Sequence, residues 1–226
     1  MKTKNIDQTF PAEAIKEKIR LLWGQSSCHV AISDLKVEHM TTLISLLYQW
    51  NKALNLTAVR NPEDMVVLHI IDSISVEPCI YGNNIADVGT GPGFPGLVLA
   101  ILHPEIKFTL IDSVSKKISF VKNAVAVLKL GNVTPVNGRC EELQPEELFD
   151  CIVSRAFAPL DKIVNWCRDL LTSEGKFVAM KANLSDEELG NVPKDVVIDR
   201  IEKLNVPGLN ATRQAVVMSL RNTKQE

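Results

Sequence analysis

Two periodicities divide the chain near residue 82. Over FPAEAIKEKIRLLW, from Phe10 to about Gly24, apolar residues recur every three or four positions, which places them on one face of a helix. Pro11 falls near the first turn, where a missing N–H costs nothing. A second helix is predicted from a cap at Asp34 to about Leu54, with Leu35, Leu43, Leu46, Leu47 and Trp50 at helical spacing. A third starts at Pro62, with Met65, Val66, Ile70, Ile71 and Ile74 in one apolar stripe.

After Asn83, short runs rich in β-branched residues alternate with helical stretches. Strands are predicted at Asn84 to Val88, Lys107 to Ile111, Val133 to Val136, Cys151 to Ser154 and Lys176 to Lys181. Helices are predicted at Gly96 to Leu102, Ser115 to Leu130, Pro159 to Leu171 and Ser185 to Leu189. Two further strands, Val196 to Leu204 and Ala215 to Leu220, flank the turn-rich VPGLNATR. Five helix-linked strands and a closing antiparallel pair predict a doubly wound α/β sheet over 83–226, preceded by a helical extension over 1–82.

Composition narrows the function classes mainly by exclusion. The 226 residues suit one main domain, and no apolar run reaches the roughly 18 residues of a membrane span, so a cytoplasmic protein without a membrane partner is expected. The five cysteines form no C-x-x-C pair and the four histidines no H-E-x-x-H, so reduced thiols and no metal are expected. Twenty-five basic against 27 acidic residues give a net charge of −2, which does not by itself point to nucleic acid.

IADVGTGPGFPG, Ile85 to Gly96, joins a predicted strand to a predicted helix. Gly91, Gly93 and Gly96 fit the G-x-G-x-x-G of dinucleotide sites, whereas Asp87, Gly89, Gly91 and Gly93 fit the D-x-G-x-G-x-G of S-adenosylmethionine enzymes. Pro92 and Pro95 remove N–H donors that a pyrophosphate would need, and S-adenosylmethionine carries no phosphate. Asp112, 23 positions after Gly89, lies where a carboxylate takes a ribose diol, and it also lies where an aspartate caps a helix. The third strand leads into Cys140 and Glu141 beside the adenine, and the fourth into Ser154-Arg155-Ala156-Phe157, with neither an N-P-P-Y loop nor paired cysteines for covalent pyrimidine chemistry.

Trp50 to Ser73 (WNKALNLTAVRNPEDMVVLHIIDS), Asp87 to Gly96, Thr109 to Val121 (TLIDSVSKKISFV), Asn132 to Leu143 (NVTPVNGRCEEL) and Ile152 to Phe157 (IVSRAF) follow one another as in the RsmG (GidB) family. The chain resembles these small-subunit ribosomal RNA guanine-N7 methyltransferases. Leu68, Cys140 and Ala182 depart from the family's usual residues. The resemblance implies a Rossmann-like class I S-adenosylmethionine-dependent fold and 16S ribosomal RNA as partner, with DNA not expected and a monomer expected. It assigns Gly89 and Phe94 to the cofactor loop, Asp112 to the ribose, Cys140 and Glu141 to the adenine side, and Arg155 to the cofactor site facing the target base.

Guanine N7 carries a lone pair and no proton, so in-line attack on a sulfonium methyl group requires no general base. Arg155 is the candidate for fixing the base by stacking or by hydrogen bonds to O6, with a structural ion pair as its other use. Lys52, Arg60 and Lys181 are the candidate phosphate contacts. His69 and Asp72, about one helical turn apart, are expected to form an interior polar pair. The rival functions are a nicotinamide-dependent oxidoreductase, a non-catalytic RNA-binding assembly factor, and a methyltransferase acting on another nucleic acid or a small molecule.

Overall fold

A computed structural model describes residues 10–221. Helix α1 (Ala12–Gly24) is followed by α2 (Asp34–Leu54). The cap of α2 is Ser33, whose hydroxyl accepts from the Lys36 N–H; the expected cap, Asp34, is already helical and pairs with Arg20 at 2.6 Å. The buried stripe is Val37, Met40, Leu43, Ile44 and Leu47, whereas Leu35 is 66% exposed. At roughly 1.5–3 kcal/mol per large apolar side chain, that stripe outweighs the ~1 kcal/mol of a cap and decides where the helix lies.

The third helical run starts at an Asn61 cap and passes through α3 (Pro62–Met65), a π-helical segment Val66–Ile71 and α4 (Asp72–Ser75). In the π segment the Asp72 N–H reaches back five residues to the Val67 carbonyl. The Leu68 carbonyl, which an α-helix would have paired with that N–H, is thereby freed.

Strands β1 (Asn84–Val88), β2 (Lys107–Asp112), β3 (Val133–Asn137), β4 (Phe149–Arg155) and β5 (Leu171–Lys181) are parallel, while β6 (Val196–Lys203) and β7 (Gln214–Leu220) add an antiparallel edge. The order is β3-β2-β1-β4-β5-β7-β6, so the chain reverses direction across the sheet between β1 and β4, where open α/β sheets bind ligands. Helices α5 (Gly96–Leu102), α6 (Ser115–Leu128), α7 (Leu160–Cys167) and α8 (Asp186–Gly190) connect the strands. Strand β5 starts five residues earlier than expected, because a register shift between Phe149 and Cys151 lets Leu171 pair with Phe149. Helix α6 stops two residues early, at Lys129 in the left-handed conformation.

Alternation along the strands divides the core in two. Ile85, Phe108, Leu110, Val153, Val178 and Val217 face α1 to α6, whereas Ala86, Val88, Ile111, Ile152, Ala179 and Met218 face α7. The helical extension is thus one cover of the sheet, and its core is continuous with that of 83–221. Among the described residues no helix is long and apolar enough to cross a membrane.

Glu77, 7% exposed, fastens the α1–α2 connection to the end of α5: it accepts from the His29 backbone N–H at 2.9 Å, and its other oxygen lies 3.1 Å from His103 Nε2. The Glu77 carboxylate raises the His103 pKa, and the hydrogen bonds from His103 and His29 hold Glu77 low against its burial. A raised histidine contributes stability that is present below its unfolded pKa of about 6.5 and lost as pH rises through the folded value; a lowered carboxylate contributes stability lost as pH falls below about 4.3. Thermal melts of His103→Gln should therefore fall furthest below wild type near pH 5.5, about midway between those two values, and converge on it as pH rises through the folded value of His103. A deficit independent of pH would show that His103 is not charged in this contact.

Candidate active site

Two adjoining cavities open at the carboxyl ends of the strands, with Gly89, Lys117 and Ala156 as their common wall. The first, about 360 Å³, is bounded by Asp112, Val114, Cys140, Glu141, Phe157 and Trp166. The second, about 460 Å³, is bounded by the 56–59 loop, His69 and Asp72 from the helical extension, Phe94 from the glycine loop, Arg155 and Lys181 from the sheet, and Arg213 just before β7.

The glycine loop is tied from within. Asp87 is fully buried, and its Oδ2 accepts the Thr90 hydroxyl at 2.6 Å and the Gly96 N–H at 2.7 Å. Burial raises its pKa to about 6, against the pull of those two donors. Asp87 lines neither of these cavities; it holds the loop's shape from within. The loop's amides are spent as well: Gly89 and Thr90 donate to Ile111 O, Gly91 to Asp112, Gly93 and Phe94 to Thr90 O, Gly96 to Asp87 and Leu97 to Gly93 O. With Pro92 and Pro95 lacking an N–H, no amide from 89 to 97 is left for a diphosphate, and the Val98 N–H bonds Pro95 O. This geometry weighs against a dinucleotide and suits a phosphate-free nucleoside.

Asp112 closes β2 on the floor of the first cavity. Its Oδ1 accepts the Val114 N–H at 2.8 Å, a local turn leading into α6, and its Oδ2 accepts the Gly91 N–H at 2.9 Å. Asp112 is not the expected helix cap, since the cap position of α6 is Val114, with no side-chain cap bond; it shapes the turn before the helix and lines the cavity. Gly91, with φ of 61°, has open space where a side chain would stand, so the loop leaves room for a bound group. At Gly89, with φ of 69°, an added Cβ would lie 2.2 Å from the Phe157 ring. Cys140 and Glu141 border the same cavity, the thiol donating to Glu141 Oε2 at 3.2 Å.

Arg155, at the end of β4, uses Nη1 twice, donating to the Leu68 carbonyl freed by the π segment at 2.9 Å and to Asp72 Oδ2 at 2.8 Å. Its guanidinium carbon lies 5.7 Å from the centre of the Phe94 ring, which stacks on His69 at 4.9 Å. The ion-pair reading of Arg155 is thus realised, in a residue that lines the second cavity. Position 68 contributes through its carbonyl, which any residue supplies. Ala156 beside it adopts a left-handed φ of 50°, a conformation costing a non-glycine residue about 1–2 kcal/mol, and forms part of the wall between the cavities.

His69 and Asp72 do not form the expected pair. The π segment turns them to different partners: His69 Nε2 lies 3.1 Å from the Thr57 hydroxyl, while Asp72, 3% exposed, receives Arg155 and, at 3.1 Å, Arg213. Burial, reinforced by the Arg155 charge, depresses the His69 pKa to about 3. Asn51 shapes the adjacent loop, its Oδ1 accepting the Leu56 and Thr57 N–H groups and its Nδ2 donating to Val59 O.

Of the three expected phosphate contacts, only Lys181 lines a cavity, held by the Ala158 carbonyl at 2.7 Å and Glu188 at 2.6 Å. Arg60 braces the end of α2 through Asn51 O and Asn55 Oδ1. Lys52 lies over the Tyr48 ring, 4.2 Å from its centre. Arg213 escaped the sequence reading, although an antiparallel β7 necessarily starts at the carboxyl end of its parallel neighbour, where Gln214 pairs with Lys181.

The strand order, the glycine loop and the acidic end of β2 define a class I S-adenosylmethionine-dependent methyltransferase. The fold is shared with a glycopeptide N-methyltransferase, MtfA, solved with S-adenosylmethionine (TM-score 0.58, 9% identity, 68% of this chain and 87% of that one). It is also shared with the ribosomal protein L11 methylase of Lactobacillus delbrueckii subsp. bulgaricus (TM-score 0.51, 15% identity, 67% and 77%). The family model for rRNA small subunit methyltransferase G matches residues 36–217. Ribosomal RNA small subunit methyltransferase G of Idiomarina loihiensis is 43% identical over 208 residues, 92% of this chain and all of that one; the Histophilus somni protein is 48% identical over 186 residues, 82% and 88%. The chain belongs to this family.

The two loop glycines should respond differently to alanine. Gly89→Ala drives a methyl group into Phe157 and should cost upwards of about 3 kcal/mol by thermal or urea unfolding, whereas Gly91→Ala should cost only the ~1–2 kcal/mol of a left-handed alanine while weakening S-adenosylhomocysteine binding. Equal stability losses would contradict the packing described for Gly89.

Proposed function

We propose that the protein transfers a methyl group to N7 of a guanine in small-subunit (16S) ribosomal RNA. The observation that carries this reading is that the second cavity holds no available general base. His69 is a weakly basic imidazole with its pKa near 3, and Asp72 is neutralised by two arginines. Lys117 and Lys181 are paired with Asp112 and Glu188. Guanine N7 is a nucleophile that needs none, unlike a hydroxyl or a protonated ring nitrogen.

When bound, S-adenosylmethionine supplies an electrophilic methyl group on a sulfonium. Asp112 would take the ribose hydroxyls, the Gly89–Gly91 backbone would border the chain beyond them, and Cys140 with Glu141 would border the adenine. Phe157 and Trp166, 5.7 Å apart in an edge-on contact, give that cavity an aromatic wall. In the second cavity Arg155, its Nη1 anchored by Leu68 and Asp72, directs its remaining donors toward the O6 edge of the guanine, and Phe94 and His69 limit water around it. Rate then comes from holding base and methyl group in line. Lys181 and Arg213 stand beside the path of the RNA backbone.

Incubating the protein with labelled S-adenosylmethionine and small subunits lacking the modification should give 7-methylguanosine at one position on nucleoside analysis. Cofactor binding without ribosomal RNA methylation would leave the fold and cofactor standing and remove the substrate. Single-turnover methyl transfer should be flat from about pH 7 to 9, since neither N7 nor His69 titrates there and Asp87, with its pKa raised to about 6, is ionised. Arg155→Lys should lower the rate by about 10²-fold, the scale of a misplaced reactant, and full retention of activity would remove Arg155 from holding the base.

A further inference from the structure

Lys117 is the one side chain of α6 that borders both cavities. Its ammonium lies 3.4 Å from Asp112 Oδ2, and its side chain is 30% exposed. The carboxylate it meets is already committed to the backbone, through Val114 N–H on Oδ1 and Gly91 N–H on Oδ2. A carboxylate offers about four acceptor positions. Lys117 takes the third, which leaves one, whereas a ribose diol brings two O–H donors.

The charges around the second cavity are also counted out. Asp72 serves both Arg155 and Arg213, and Lys181 is matched by Glu188. A further ammonium turned into that space finds no unshared carboxylate among the lining residues and is left for an anion from outside.

We propose that Lys117 is a positioning residue that couples the two sites: its ammonium pairs with Asp112, is displaced when the ribose diol takes that carboxylate, and then presents its charge to the RNA in the second cavity. The inference rests on the reading of Asp112 as the ribose acceptor. Loading the first cavity adds one cation to the second, so the nucleoside and the RNA bind cooperatively, and reciprocally.

The test measures binding of a labelled small-subunit RNA transcript by anisotropy, over a range of salt, without nucleoside, with S-adenosylhomocysteine, and with 5′-methylthioadenosine, which keeps the diol but lacks the amino-acid part. Wild type should bind RNA roughly 5-fold more tightly with either nucleoside, at the low end of measured couplings. Its log–log salt dependence should steepen by about 0.7–1, one added phosphate contact. Lys117→Met should bind both nucleosides at least as tightly as wild type yet show no gain in RNA affinity, and Lys117→Arg should restore the gain. The proposal is overturned by a gain that survives in Lys117→Met, by no gain in wild type, or by a gain with S-adenosylhomocysteine alone, which would make the amino-acid part of the nucleoside, and not its diol, the trigger. Failure of the Asp112 reading shows separately, as unchanged nucleoside affinity in Asp112→Asn.

Discussion

The second cavity depends on one carboxylate. Asp72 comes from the helical extension, Arg155 from the end of β4 and Arg213 from the approach to β7, and the three meet with Asp72 only 3% exposed. Burying such a cluster is costly unless every charge is matched, and removing one partner of a buried pair commonly costs 3–5 kcal/mol. Three segments distant in sequence are therefore held in one arrangement, and the helices before the sheet become part of the site. The π segment belongs to the same constraint: the residue whose carbonyl it frees, Leu68, supplies the second acceptor for Arg155.

Much of this was legible in the sequence because it is local. The strand, glycine turn and helix around Asp87 to Gly96 lie within ten residues, and the spacing from Gly89 to Asp112 is that of one βα unit. The parts that were not legible are contacts across the fold. Helical periodicity is nearly blind to a π segment, so His69 and Asp72 read as neighbours on one face when they are turned to different partners. The extended start of β5 depends on a register shift that no pattern in 171–175 announces. Ser33 and Asp34 are both good caps, and the pairing of Asp34 with Arg20, 14 residues away, lies outside a local reading.

Net charge was equally uninformative for a physical reason. A total of −2 is an average over the chain, while Lys117, Arg155, Lys181 and Arg213 converge on one cavity against the three carboxylates that pair with them, Asp112, Asp72 and Glu188, which leaves a local excess of positive charge. At physiological ionic strength, charges beyond about 8 Å are largely screened, so an incoming phosphate responds to this local group and not to the sum.

The shared core also carries a consequence for biogenesis. Leu204, Val206 and Leu209 pack in the same apolar cluster as α1 and α2, and Gly208 lies within 3.2 Å, measured from a Cβ position, of Val67. A polypeptide emerging from its amino end displays Val37, Met40, Leu43 and Ile44 long before that covering loop is synthesised. The half of the pocket made by the extension therefore acquires its final shape only after the segment around 204–209 has also been synthesised. The order of synthesis thus separates the making of the extension from the completion of the pocket it helps to form.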